Sequence, residues 1–209
     1  MSEPTLDTVR AFLARPATEV APELLGSVVV VRSDEGEVAV RLTEVEAYLG
    51  PDDPGSHARS GIPTARTAPM FGPAGHVYVY FTYGMHTCLN LVCGEDGRAT
   101  GALLRGGEVV RGHDLARARR RGARTDAGLA RGPGNLGQAL GLSLEDSGAP
   151  LQPSGRLWLE LADVRAEYRT GPRVGVSGEG GDGEKYPWRF WVPGGVGVSA
   201  YRPGKPRSR

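Results

Sequence analysis

Residues 27–32 form a short apolar run, and polar and hydrophobic residues alternate through much of 38–49; both patterns are typical of strands. Residues 27–32 and 38–49 therefore predict two strands, joined by a turn at 33–36. Before them, apolar residues recur at helical spacing over residues 5–15 and stop at Pro16, which predicts a helix.

The remainder of the chain predicts a hairpin and several shorter elements. Residues 76–93 contain two strand-like runs around a turn at Gly84. Further strands are expected at 101–105, 157–161, 174–176 and 189–192, and further helices at 18–25 with Thr18 as N-cap, at 114–121 and at 136–140. Residues 50–75 show no period, and Met70 with Phe71 favours an ordered, functional loop there.

Composition narrows the class of protein. A chain of 209 residues with 39% hydrophobic content fits one domain over residues 1–209, and 32 glycines with 16 prolines indicate a loop-rich, largely β body. The sequence has no apolar run of about 18 residues and no evident secretory signal, so we expect a cytoplasmic protein. Cys88 and Cys93 are interpreted as small core residues in a reducing compartment.

The net charge of +1 conceals an uneven distribution. Residues 1–60 carry 11 acidic and 5 basic side chains, whereas residues 102–131 carry 8 arginines and 3 acidic residues. A basic surface on a near-neutral protein favours a polyanionic partner. A solvated arginine-rich helix would give the same pattern, so charge alone leaves both interpretations open.

The strand at 38–49 carries the most informative polar residues. Its alternation places Glu44, Glu46 and Tyr48 on one face, just before a loop that contains His57. A buried face excludes two carboxylates unless they are paired or functional, and a solvated strand face is the alternative. A carboxylate beside a ring-lined pocket could activate a water molecule.

Three further features are typical of nucleic-acid binding. Tyr78 and Tyr80 share one strand face and could stack on a planar, electron-poor ligand. Tyr83 and Met85 lie at the hairpin tip, where large side chains either insert into a partner or fold back beneath a loop. The glycine-rich segment 132–135 opens a helix that could bind a phosphate. These are the parts of an enzyme that flips a nucleotide out of a duplex.

Other enzyme classes lack their motifs in this chain. The sequence has no Gly-x-Ser-x-Gly, Walker or His-Glu-x-x-His motif. Its four histidines and two cysteines do not show zinc-ligand spacing, which disfavours a zinc-dependent deaminase. We therefore expect neither a metal nor another cofactor.

An ordered set of short motifs resembles a single family. The motifs are Glu44–Pro51, Asp53, Ser56-His57, Met70–His76, Tyr78–Tyr80, Tyr83–Met85, Asn90, Leu103–Arg105, Gly132-Pro133, Leu136, Gln138–Leu140 and Pro172–Gly175. From about residue 20 to 200 they resemble the alkyladenine (3-methyladenine, methylpurine) DNA glycosylases. The resemblance implies an α+β fold, a single mixed α/β domain with a curved, mostly antiparallel sheet, flanking helices and a protruding hairpin. Residues 1–4 and 203–209 are expected to be flexible.

The resemblance also implies a role for each matching residue. Glu46 is the implied general base that activates water for attack at C1′ of the deoxyribose, and Arg105 the residue that holds the flipped nucleotide near it. The implied base-binding residues are Tyr48, His57, Tyr80, Asn90 and Val174, the DNA-intercalating residues Tyr83 and Met85, and the DNA-backbone contacts Arg66, Gly132 and Gly134.

The implied activity is hydrolysis of the N-glycosidic bond of an alkylated purine in duplex DNA, in base excision repair. The expected protein is a monomer, cytoplasmic and nucleoid-associated if bacterial. Lys185 and Lys205 are the only lysines and lie outside the motifs, so we expect a monofunctional glycosylase without strand cleavage. Hypoxanthine, ethenoadenine and 7-methylguanine stay open as substrates beside 3-methyladenine. A non-catalytic nucleic-acid-binding module of related fold is the alternative.

The chain departs from the family pattern at three positions. Ile62 stands where an arginine is common, and Asn135 and Gly137 stand where a lysine and a cysteine are expected. These changes predict weaker contacts to the DNA backbone, for which the arginine-rich helix at 114–121 could compensate. Glu44 has no implied chemical role and is expected to partner an arginine or His57.

Overall fold

An eight-stranded sheet forms the body of the computed structural model, which describes residues 5–82, 84 and 86–205. The strands are β1 (Val28–Ser33), β2 (Gly36–Tyr48), β3 (Val77–Thr82), β4 (His86–Cys93), β5 (Thr100–Arg111), β6 (Leu157–Glu160), β7 (Arg169–Gly171) and β8 (Arg189–Trp191). Their order is β3-β4-β5-β2-β1-β6, with β8 paired to β2 and β7 paired to β8. All these pairings are antiparallel, which confirms the predicted α+β class.

Four α-helices within the described residues accompany the sheet: α1 (Leu6–Leu13), α2 (Ala17–Glu23), α3 (His113–Arg119) and α4 (Pro133–Leu140). Apolar side chains at helical spacing, such as Val9 and Leu13 of α1, are fully buried in one core with the sheet. Gly137 of α4 packs so closely on β4 that an added Cβ would clash with the carbonyl of Thr87. The expected cysteine would not fit at this position, which explains that departure from the family pattern.

Two irregularities in the pairing of β2 with β5 position the polar residues. Leu42 pairs with Gly107, Glu44 with Gly106 and Val45 with Leu104, so the register passes over Thr43 and Arg105. β-Bulges of this kind bend a strand and re-aim side chains, and they are common beside active sites.

The structure corrects two sequence predictions. The expected strand at 174–176 does not form. The strand between β6 and β8 is instead β7, which ends at Gly171. The amide of Val174 binds the Glu46 side chain, so it is not free for a strand ladder. Thr18 lies inside α2, whose N-cap is Pro16; the proline φ of −53° is already close to the helical value, so the helix begins before Thr18.

The long loop after β2 is ordered, as predicted. Its residues Ala58 and Met70 are buried in a small apolar cluster with Tyr78, Val92 and Ala99, which lie on or next to the strands β3–β5. This packing fixes the loop against the end of the sheet.

Several predictions fall on positions outside the described residues, namely the hairpin-tip roles of Tyr83 and Met85 and the flexibility of residues 1–4 and 206–209. Gly204, by contrast, is described and packs against Val176 and Ser177. None of the helices described is both long and apolar enough to cross a membrane.

Candidate active site

A pocket of about 910 Å³ opens where the ends of β2, β3, β4 and β5 meet the loop that follows β2. Its lining includes every residue predicted to bind a base, together with Arg105: Tyr48, His57, Tyr80, Asn90 and Val174. Strand alternation explains part of this set, because Asn90 of β4 pairs with Tyr78 of β3, and Tyr78 and Tyr80 share one face of that strand.

Glu46 lies behind the pocket wall and is fully buried. Its carboxylate accepts hydrogen bonds from the Tyr48 hydroxyl at 2.8 Å and from the Val174 amide at 2.7 Å. The Arg105 guanidinium approaches it at 3.3 Å. Because these three partners all line the pocket, the carboxylate lies directly next to the pocket lining.

Glu44 is also fully buried and binds arginine, as expected, rather than His57. It accepts from Arg105 Nε at 3.0 Å, from Arg189 Nε at 2.7 Å, and from the backbone amide and hydroxyl of Ser199 at 2.7 and 2.9 Å. The two carboxylates and two guanidiniums therefore form a neutral cluster, which offsets the cost of burying four charges.

Arg105 is the charged residue shared by both carboxylates. Burial by itself would lower the pKa of Arg105, but the negative charges of Glu46 and Glu44 outweigh burial and raise it above its ordinary value. Arg105 contacts Glu44 at 3.0 Å and Glu46 at 3.3 Å. Because Arg105 also lines the pocket, its permanent positive charge lies at the pocket wall.

The aromatic rings of the pocket are uncharged at neutral pH. His57 meets Tyr80 edge to face with centroids 4.7 Å apart, and Tyr78 stacks behind Tyr80 at 5.5 Å. Burial raises the pKa of Tyr80, and burial followed by the charge of Glu46 raises the pKa of Tyr48 well above its ordinary value. Partial burial, with the charge of Arg66, lowers the pKa of His57 below 6.5.

A fully buried ion pair fastens the loop after β2 to the site. Arg173 donates to both carboxylate oxygens of Asp53, at 2.5 and 2.6 Å, and to the backbone carbonyls of Ala47 and Gly180. Its guanidinium also lies 4.5 Å from the centroid of the Tyr48 ring. One arginine thus ties together the end of β2, the His57 loop and the segment that carries the Val174 amide.

The predicted DNA-backbone residues lie near the pocket in differing environments. Gly132 has φ 87° with open space around its Cβ position, whereas Gly134 packs against the ring of His86. Between them, Pro133 begins α4 and lines the pocket. The exposed Arg66 lies 5.3 Å from the centroid of Tyr80, so it also packs at the pocket edge.

The arginine-rich helix α3 is largely engaged within the protein. Arg117 pairs with Asp114 and Asp126, and Arg119 donates to the carbonyls of Ala139 and Leu140 at the end of α4. The helix begins beside Glu37, which lies nine residues before Glu46 on β2, roughly 30 Å along the strand. The first turn of α3 is therefore far from Glu46, whereas its last turn packs on Gln138 of α4, the helix that carries Asn135 and Gly137. Compensation by α3 stays a prediction.

Sequence reasoning missed several pocket residues. Cys88 is buried, as predicted, but it also lines the pocket, as its pairing with Tyr80 across the hairpin could have indicated. Cys93 is a core residue as predicted, and burial raises its pKa to about 12. Arg59 and Gly204 also line the pocket, and no periodic signal marked either of them.

Within the part of the chain that the structure describes, no three His, Cys, Asp or Glu side chains cluster as metal ligands would.

Comparison with known proteins identifies the family. Residues 11–195 match the model of the methylpurine-DNA glycosylase (MPG) family. A protein of Streptomyces avermitilis named "Putative 3-methyladenine DNA glycosylase" is 52% identical over 205 residues, covering 96% of this chain and 94% of the relative. Proteins of the same name from Cutibacterium acnes and Leifsonia xyli are each 53% identical, covering 91% and 92% of this chain and 98% and 91% of theirs. The chain therefore belongs to the methylpurine-DNA glycosylase family.

Proposed function

We propose that this protein excises alkylated purines from duplex DNA by hydrolysing the N-glycosidic bond, with 3-methyladenine as its reference substrate. The observation that carries the proposal is the buried Glu46 carboxylate, held by Tyr48, Val174 and Arg105 directly behind a pocket of aromatic rings. Family membership supports the glycosylase class and makes DNA the substrate.

The rings would select the damaged base by charge. A purine alkylated at N3 or N7 is cationic, and its attraction to a neutral ring face amounts to about 2 kcal/mol when both are out of water. His57 has a lowered pKa, so its ring is uncharged at neutral pH and does not repel such a base. The enzyme flips the nucleotide into the pocket, and flipping costs less for a lesion whose stacking is already weakened.

Glu46 would act as general base in the hydrolysis. Water attacks C1′, its proton passes to the carboxylate, and the C1′–N bond breaks so that its electron pair leaves with the purine. An alkylated purine leaves as a neutral base and requires no added proton. Arg105 holds the nucleotide against the carboxylate, and the Tyr48 hydroxyl fixes the orientation of the carboxylate.

A monofunctional reaction fits the placement of the lysines. Lys185 is exposed and pairs with Glu179, Lys205 is exposed, and neither lysine belongs to the lining of the pocket. The base-free sugar should accordingly remain in an intact strand, and borohydride should trap no covalent complex with DNA.

The test is release of free base from duplexes that each carry 3-methyladenine, 7-methylguanine, hypoxanthine or ethenoadenine. We expect the alkylated, cationic purines to be released fastest, because no acid for a neutral base lies in the pocket wall described above. A protein that binds these duplexes and releases no base would be the non-catalytic binding module instead.

A further inference from the structure

The last described stretch of the chain, residues 196–205 (the C-terminal segment), is fastened to the active site at three points. The Val196 carbonyl accepts from the Thr43 hydroxyl at 2.7 Å. The Ser199 amide donates to Glu44 at 2.7 Å, and the Arg202 carbonyl accepts from the Gly175 amide at 2.9 Å. These anchors use backbone atoms of the segment, so its course does not depend on the Arg202 side chain.

The C-terminal segment also forms part of the pocket itself. Gly204 lines the pocket, in contact with Val176 and Ser177, and any side chain at this position would clash with their backbone. The residues on either side of Gly204 are therefore held at the mouth of the pocket. Ordering them in advance lowers the entropic cost of using them to bind a ligand.

The side chains that the segment presents are cationic and aromatic. Tyr201 is 46% exposed, and Arg202 and Lys205 are exposed, with no carboxylate partner among the described residues. Arg59 adds another exposed cation to the same pocket lining. Surface cations with an interleaved aromatic ring suit a phosphodiester backbone.

Two carboxylates of the loop before β8 already have partners. Glu179 pairs with Lys185 at 3.3 Å, and Asp182 accepts hydrogen bonds from the amides of Glu184 and Lys185. The positive charge of Arg202 and Lys205 thus stays available to an external anion.

We propose that the C-terminal segment is a DNA-binding wall of the pocket, in which Arg202 and Lys205 bind the phosphates that flank the flipped nucleotide. This inference rests on the proposed function, because it presupposes that the pocket receives a nucleotide from DNA. The phosphate contacts of Arg202 and Lys205 would replace the DNA-backbone contact that is expected to be lost at Ile62.

The test is equilibrium binding of the double variant R202A/K205A to a duplex with a tetrahydrofuran abasic-site analogue, over a series of KCl concentrations. Losing two phosphate contacts should raise Kd about tenfold and reduce the slope of log Kd against log salt by about 2. The charge-preserving variant R202K/K205R should keep the wild-type slope. R121A/R124A, which removes two exposed arginines beside α3, should change Kd less than about twofold.

Unchanged Kd and slope in R202A/K205A would overturn the proposal, as would an effect confined to R121A/R124A. Tighter binding or faster base release in R202A/K205A would make the segment an obstructing lid, and would equally overturn it. Thermal unfolding at the wild-type temperature confirms that the variants are folded. Wild-type protein that binds the duplex but releases no base would refute the proposed function and leave this binding test intact.

Discussion

At the scale of the residue, Glu46 shows how burial and chemistry are reconciled. A carboxylate fully out of water is costly unless donors replace its hydration, and here a phenol, an amide and a guanidinium do so. Each hydrogen bond to a charged acceptor contributes about 1.5–3 kcal/mol. Removing one donor should therefore have a measurable effect on catalysis.

The variant Y48F removes the hydroxyl that binds Glu46 and keeps the ring that would stack on the base. We expect its single-turnover rate to fall about 10- to 100-fold, equivalent to one charge-assisted hydrogen bond, with little change in DNA affinity. Y78F is the matched control, because the buried Tyr78 hydroxyl has no partner among the described residues. Equal losses in both variants would show that the contact with Glu46 does not matter.

His57 predicts a pH dependence of binding. Its pKa is lowered, so the ring stays neutral to a more acidic pH than an ordinary histidine and becomes cationic only below about 6.5. The Kd of inactive E46Q protein for a 7-methylguanine duplex should be constant between about pH 8 and 6.5, then rise as His57⁺ repels the cationic base. H57Q should lack this rise; an identical rise in H57Q would assign it to another group.

At the scale of the element, the sequence predicted strands and residue faces well and missed the irregular backbone. Alternation correctly placed Glu44, Glu46 and Tyr48 together. It could not show that Arg105 lies in a bulge, because a bulge interrupts the period from which faces are inferred. Nor could it bring the C-terminal segment to the pocket, since that contact depends on hydrogen bonds between distant backbone atoms.

The ion pair of Asp53 and Arg173 should hold the loop after β2. R173M leaves the Asp53 carboxylate buried without its cation, which we expect to lower the free energy of unfolding by about 3–5 kcal/mol. Adding D53N should recover part of that loss. Urea unfolding measures both, with R41A, in a single exposed ion pair with Glu108, as a control expected to lose at most about 1 kcal/mol. No recovery in the double variant would contradict a pairwise role.

The hairpin tip gives a prediction that rests on the sequence alone. If Tyr83 fills the gap left by a flipped base, Y83A should slow release from duplex DNA about 10- to 100-fold, since unstacking costs a few kcal/mol. F81A removes an exposed aromatic side chain of the same hairpin and serves as control. Kinetics of Y83A equal to those of wild type would remove the intercalating role.

At the scale of the whole molecule, the sheet brings distant segments to one end. β2 supplies the carboxylates of Glu44 and Glu46, and β5 supplies Arg105. The Tyr80 ring comes from β3 and the Asn90 side chain from β4, and loops close the pocket. The opposite end of β2 carries α3, whose arginines mostly bind the protein itself. The catalytic function is therefore expected to depend on a single buried group at one end of the sheet.

The measurement that tests this most directly is single-turnover release of 3-methyladenine from duplex DNA by E46Q. Loss of the general base should slow release at least about 100-fold, with binding to the abasic-analogue duplex unchanged within about twofold. E108Q, which alters an exposed carboxylate paired with Arg41, should release the base at the wild-type rate. If E46Q released 3-methyladenine as fast as wild type, the role assigned to Glu46 would be wrong.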